Sequence, residues 1–190
     1  MRLAAVDDGR LRYSPGDGLE ARGHKVTRTR WPSFDFGSSQ GLMYLVMEYV
    51  DGRDLGQVIR DAGKLDFARV ARLTAQVCGS VAEAHRLGIV HRDIKPENIM
   101  IVTRPDQGES AKVLDFGLAK LRDTQAGNTV TRAGAIVGTP YYMSPEQIRG
   151  EDVDPRGDVY AIGAMMYKAV TGAPPFVAAT PMGVLTKHLT

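Results

Sequence analysis

Between apolar flanks, Ile89-Val90-His91-Arg92-Asp93-Ile94-Lys95-Pro96-Glu97-Asn98-Ile99-Met100 gathers an acid, a base and an amide within six residues. So much polar chemistry is foreign to a buried strand. A helix interior is excluded by Pro96, which lacks an amide donor and clashes with the preceding turn. The stretch therefore reads as a loop holding a site. Asp93 can accept a proton from an attacking hydroxyl. Lys95, two residues on, can face the same side and meet a phosphoryl oxygen, and the side-chain oxygen of Asn98 suits a hard divalent cation. Any one of these residues alone is ordinary loop polarity, so the weight rests on their joint spacing.

The elements that must position this loop are legible on both sides of it. Leu42-Met43-Tyr44-Leu45-Val46-Met47 has the length and composition of a buried strand, broken by Asp51-Gly52. A helix is expected near Asp54 to Arg60, and a second after Leu65 with Asp66 as its N-cap. In the second, Val70, Leu73, Val77, Val81 and Ala84 recur at three and four residues, which makes one apolar face, and Gly88 can close it. After the loop, Ile99 to Val102 and Lys112 to Leu114 predict two short strands joined by a long polar turn, Thr103 to Ser110. Asp115-Phe116-Gly117 follows, where a carboxylate can project at a strand end and the backbone can turn. Some twenty residues without periodicity come next, a length that is uncommon in a compact domain unless functional. Asp158 to Val170 predicts a helix apolar nearly all round, including Val159, and hence central to a core. Gly172 and Pro174-Pro175 stop it, and Pro181 to Leu189 starts another helix.

Composition bounds the function classes. The chain has 190 residues, enough for one domain with a real core, and 43% apolar content argues against disorder. A net charge of +2 gives no strong attraction to nucleic acid or to a membrane surface. No apolar run approaches bilayer-spanning length, and no signal peptide is visible. A single cysteine, Cys78, excludes an internal disulfide framework and fits a reducing cytoplasmic setting; it reads as a small buried helix residue. Residues 1–33 differ from the rest, being rich in Arg and Gly with little apolar periodicity, and read as loosely ordered. Gly16-Asp17-Gly18 within them is a weak phosphate-loop hint that a simple turn explains as well.

From Phe34 onward the sequence resembles a eukaryotic-like serine/threonine protein kinase of the type common in bacteria. The resemblance rests on ordered motifs: Met47-Glu48-Tyr49-Val50, the His91 to Asn98 loop, Asp115-Phe116-Gly117, Gly138-Thr139-Pro140-Tyr141-Tyr142-Met143-Ser144-Pro145-Glu146, Asp158-Val159-Tyr160, and Gly172-Ala173-Pro174-Pro175-Phe176. It implies an α+β kinase-like fold, mainly the helical C-lobe with the hinge and the last N-lobe strands, most of the N-lobe missing. The domain would cover residues 34–190, with 1–33 unassigned. A second Asp-Phe-Gly, Asp35-Phe36-Gly37, precedes the hinge, so Asp35 is read instead as a surface turn residue.

Position by position, the resemblance gives each residue a role. Asp93 would orient and deprotonate a protein Ser or Thr hydroxyl, Lys95 would neutralise the transferred phosphoryl group, and Asn98 and Asp115 would hold Mg2+ against the phosphates of ATP. Glu48 and Val50 would offer backbone groups to adenine, with Met47 as gatekeeper, Met100 as floor and Asp54 at the ribose. His91 and Phe116 would pack structurally, and Asp158 would brace the loop backbone. Thr131 would be an activating phosphorylation site paired with Arg92.

The glycine-rich phosphate loop, the strand lysine and its helix glutamate that the family places before the hinge are not recognisable in residues 1–33, and Lys25 lacks the strand context of that lysine. The resemblance likewise implies C-terminal helices beyond Thr190 and an arginine partner for Glu146 there. Residues 1–190 alone are thus expected to be weakly active and poorly stable. Two functional classes compete, an enzyme and a non-catalytic kinase-like binding module. Because degenerate kinases usually lose Asp93, Asn98 or Asp115 and all three stand here, the enzyme reading is favoured.

Overall fold

The computed structural model describes residues 4–7, 10–13, 33–39, 42–47, 50–106, 108–116 and 140–190, with backbone alone for the strands that precede Val50. The chain divides into two units, Met1–Asp51 and Gly52–Thr190. In the first, β1 (Ala4–Asp7) pairs antiparallel with β2 (Arg10–Tyr13), and β3 (Ser33–Ser39) with β4 (Leu42–Met47). The expected strand at Leu42 to Met47 is present. Asp35, read as a turn residue, instead lies within β3 opposite Val46, just after a register shift between Ser33 and Asp35. A local irregularity of this kind admits an acidic residue into a strand without ending it. The rest of residues 1–33, with Gly16-Asp17-Gly18 and Lys25, lies outside the described residues.

The second unit is built on helices. The short strand β5 (Arg53–Asp54) runs into α1 (Leu55–Ala62), whose N-cap is Asp54: its Oδ1 accepts from the Gln57 amide at 2.8 Å. The helix α2 (Phe67–Arg86) is capped by Asp66, which accepts from the Arg69 amide. These side-chain oxygens satisfy amides that a first helical turn leaves open. Val70, Leu73, Val77, Val81 and Ala84 are all buried, as their spacing requires, against the hairpin and the central helix. Each valine or leucine side chain buried this fully contributes about 1.5–3 kcal/mol. Gly88, at φ 73°, closes α2 by donating to the His85 carbonyl. Cys78 is helical but exposed, contrary to the expectation, because it falls beside rather than on the stripe through Val77 and Val81.

Strands β6 (Ile99–Arg104) and β7 (Gly108–Val113) extend β5 into an antiparallel sheet in the order β5-β6-β7. The hairpin is tighter than the long polar turn expected. Thr103 pairs with Glu109 and Arg104 with Gly108, so polar residues continue the ladder at an exposed end where water tolerates them. Gly108, at φ 70°, permits the sharp return.

After a single 3-10 turn at Pro140–Tyr142 come α3 (Pro145–Arg149), α4 (Pro155–Thr171) and α5 (Pro181–Leu189). Asp154 caps α4 with Pro155 at its first position, and Gly172, at φ 87°, ends it. Ala161, Ile162, Ala164, Met165 and Ala169 of α4 pack into the core. Val159 does not: it is 63% exposed, because the sequence looks uniformly apolar only until Gly163 and Tyr167 are recognised as sharing its outward side. Among the described residues no helix is long and apolar enough to cross a membrane.

Candidate active site

The loop between α2 and β6 is anchored at both ends before any of its polar groups is placed. Ile94 and Ile99 are buried in the core, and Pro96 opens a 3-10 turn, Pro96–Asn98, that returns the chain to the sheet. His91 is fully buried. Its Nε2 lies 2.8 Å from the Leu114 carbonyl, its Nδ1 accepts the Asp93 amide at 3.3 Å, and its ring stands 4.8 Å from that of Phe116. A carbonyl can only accept, so Nε2 is the donor to Leu114. The packing roles expected of His91 and Phe116 are thus visible in the contacts.

Asp158, buried on α4, holds the loop backbone from below. Its Oδ2 accepts from the His91 amide at 2.9 Å and its Oδ1 from the Arg92 amide at 2.8 Å, while His85 Nε2 donates to Oδ2 at 2.7 Å. Three donors on one carboxylate satisfy a charge that would otherwise be costly to bury. The bracing expected of Asp158 is present; His85 is an addition. It lies one turn after Val81, at the edge of the buried stripe of α2, and that position was the only signal for it.

Arg92 and Asp115 are the described non-glycine residues with left-handed backbone, at φ 67° and 62°. Such conformations cost about 1–2 kcal/mol per residue and persist only where neighbours over-determine them. At Arg92 both sides are tied: the amide to Asp158, and the carbonyl to Gln147 Nε2, which donates at 2.7 Å. At Asp115 the chain has just left β7, with the Leu114 amide donating to the Asn98 carbonyl at 2.8 Å. Aspartate tolerates this left-handed conformation better than most residues.

Within this frame three predicted residues meet. Lys95 Nζ donates to Asp93 Oδ2 at 2.7 Å. Asn98 Nδ2 donates to the same oxygen at 3.1 Å and to the Asp93 carbonyl at 2.7 Å. The Asp93 side chain is one-third exposed, so it is held in place yet open to a substrate. A cleft beside it is bounded by Arg92, Ile94, Tyr142, Met143, Gln147, Gly157 and Ala161. The Tyr142 hydroxyl is buried without a hydrogen-bond partner among the described residues, and that burial, with Glu97 adding to it, pushes its phenol well above the ordinary range.

The remaining predicted residues fall elsewhere. Asp54 and Met100 are cross-strand partners in β5 and β6, so those two come together. Met100 is half-buried on the opposite side of the hairpin from Ile99 and Ile101, which are in the core. Val50 is half-buried, Met47 ends β4, and Glu48, Gly117 and Thr131 lie outside the described residues. Gln147 was missed as a site residue, although Ser144-Pro145-Glu146-Gln147 has the spacing of a capping box, which is indeed formed.

Residues 33–189 match the protein kinase domain family. The chain belongs to the protein kinase family. Its relatives include the serine/threonine-protein kinase pkn3 of Myxococcus xanthus, 47% identical over 158 residues, which covers 82% of this chain and 29% of the relative. The serine/threonine-protein kinases PknB of Mycolicibacterium smegmatis and Mycobacterium tuberculosis are 44% and 42% identical, each over 78% of this chain and 23% of the relative. This kinase domain therefore spans less than a third of the length of the curated relatives it matches, and they are bacterial serine/threonine kinases. Its fold follows the family reading, with the second unit as its mainly helical part.

Proposed function

We propose that this kinase domain transfers the γ-phosphate of ATP to Ser or Thr hydroxyls of proteins, with Asp93 as the group that orients and deprotonates the acceptor. The observation that carries the reading is the convergence of Lys95 and Asn98 on a single oxygen of Asp93, which leaves the other oxygen to face a hydroxyl. Phosphoryl transfer needs positioning and charge neutralisation more than covalent help, and a fixed carboxylate beside an ammonium provides both. In this reading Lys95 meets the transferred group while it holds Asp93.

The residues present fit a magnesium ion. With its nitrogen committed to Asp93, Asn98 has its side-chain oxygen to offer, and Asp115 adds a carboxylate on a left-handed turn next to the strand tied to Asn98. Among the described residues no group of three or more His, Cys, Asp or Glu is set to hold a metal, and magnesium needs only one or two protein oxygens plus phosphates. When bound it supplies charge neutralisation at the phosphates. The family resemblance assigns adenosine to Met47, Glu48, Val50, Met100 and Asp54, and the β5–β6 pairing of Asp54 and Met100 supports the assignment for those two. Asp54 Oδ1 caps α1, so Oδ2 is the oxygen for the ribose. Residues 34–190 constitute the kinase portion, and the lone cysteine suits a cytoplasmic setting.

Magnesium-dependent transfer by the full-length gene product, with the modified residues identified by mass spectrometry, tests this reading. Label is expected on Ser and Thr, and Asp115→Ala should lower the rate by about a hundred- to a thousandfold. Parental transfer by Asp115→Ala, or label confined to Tyr, would contradict it. The same spectra test control: phosphate on Thr131 would carry close to two negative charges toward Arg92 and raise activity. An active protein unmodified from Thr124 to Thr131 would contradict that role.

A further inference from the structure

We propose that Gln147 is a positioning residue for the proposed base, a latch between the start of α3 and the left-handed peptide that carries Asp93; the inference rests on the phosphoryl-transfer reading above. The two ends of its amide do different jobs. Gln147 Oε1 accepts from the Ser144 amide at 3.0 Å and from Ser144 Oγ at 3.2 Å, which is the ordinary work of a capping box. Its Nε2 donates at 2.7 Å to the carbonyl of Arg92, fifty-five residues away in sequence.

That carbonyl belongs to the same planar peptide as the Asp93 amide, so fixing the oxygen fixes the direction in which Asp93 leaves the backbone. The plane has one other tie among the described hydrogen bonds, from the Asp93 amide to His91 Nδ1 at a long 3.3 Å. Gln147 therefore holds the shorter bond. It holds it where a device is needed, because Arg92 sits at φ 67° and relaxation of that residue would swing Asp93 away from Lys95 and Asn98. Residue choice points the same way. For capping alone a glutamate serves at least as well, since a carboxylate near a helix N-terminus is favoured. What glutamate cannot do when ionised is donate to Arg92.

The test exploits that difference. Gln147→Glu retains the acceptor for Ser144 and removes the donor, Gln147→Met removes both, and Arg149→Ala on the exposed side of α3 is the control. In the full-length gene product, Gln147→Glu and Gln147→Met should lower kcat by about ten- to a hundredfold, the cost typical of a misplacement near 1 Å. KM for ATP should stay parental, and Arg149→Ala should change neither. Independently of activity, hydrogen exchange at the Asp93 and Arg92 amides should accelerate in both Gln147 variants and not in the control, with exchange along α2 unaltered. Parental exchange at Asp93 in Gln147→Glu overturns the proposal whatever the rate. A gene product with no phosphotransfer would overturn the functional reading instead, and the exchange comparison would still decide the latch.

Discussion

Asp93 owes its geometry to donors of two kinds, an ammonium and an amide on one oxygen, rather than to burial. Because its side chain is a third exposed, the pair with Lys95 is worth about 0–1 kcal/mol in stability at most. Its value lies in orientation. His188 illustrates the opposite balance. Its ring is buried against Phe176 and the Tyr160 hydroxyl, which lies 2.7 Å from Nδ1, and Nε2 has no partner among the described residues, so burial lowers its pKa below the ordinary 6.5. As pH falls through 6.5 the unfolded chain takes up a proton that the folded chain resists, so stability drops over the window between 6.5 and the lowered folded value. Urea midpoints measured across this window should fall more steeply for the parent than for His188→Asn. Parallel curves would contradict the assignment. At this scale the sequence was most informative where chemistry is packed locally: Asp93, Lys95 and Asn98 fall within six residues and meet in space. His85 and Gln147 act on groups 73 and 55 positions away, and pairing of that kind leaves no local pattern.

Element boundaries followed capping chemistry closely. Asp54, Asp66, Asp154 and Thr180 each accept from an amide in the first turn of the helix they precede, and Gly172 closes α4 in the left-handed conformation. At Gly172 a β-carbon would both strain the backbone and stand 2.5 Å from the Gly63 carbonyl oxygen, whereas at Gly79, exposed in mid-helix, it would meet nothing. Gly172→Ala should therefore destabilise by more than the roughly 1–2 kcal/mol of the left-handed penalty alone. Gly79→Ala should stabilise by about 0.5–1 kcal/mol. Thermal denaturation of both variants checks the contrast, and equal shifts would refute it. Two expectations failed for a common reason, that composition does not reveal which side meets water. The β6–β7 ladder runs on through polar Thr103, Arg104 and Glu109 because its end is exposed, and Val159 points outward from a helix that reads as apolar all round.

At the scale of the molecule, the unit from Gly52 to Thr190 carries the loop and its brace, while Met47 and the positions the resemblance gives to a hinge belong to the unit that ends at Asp51. The family was legible because its motifs are short, ordered strings whose backbone and chemistry are fixed together. Residues 1–33 were not, since neither periodicity nor a phosphate-binding glycine pattern marks them. Because no glycine loop or strand lysine is recognisable in residues 1–33, residues 1–190 are expected to bind ATP weakly and to turn over slowly, which calorimetry and a phosphotransfer assay would check. Micromolar ATP affinity with undiminished turnover from residues 1–190 would show that the first unit already supplies those contacts. The most direct test of the account is the single-turnover rate of phosphoryl transfer by Asp93→Asn at saturating magnesium and ATP. The variant is isosteric and can still be held by its neighbours but cannot take the proton, so the rate should fall by about a hundred- to ten-thousandfold while ATP affinity is retained. Transfer at the parental rate would contradict the central claim that Asp93 is the group on which this site is built.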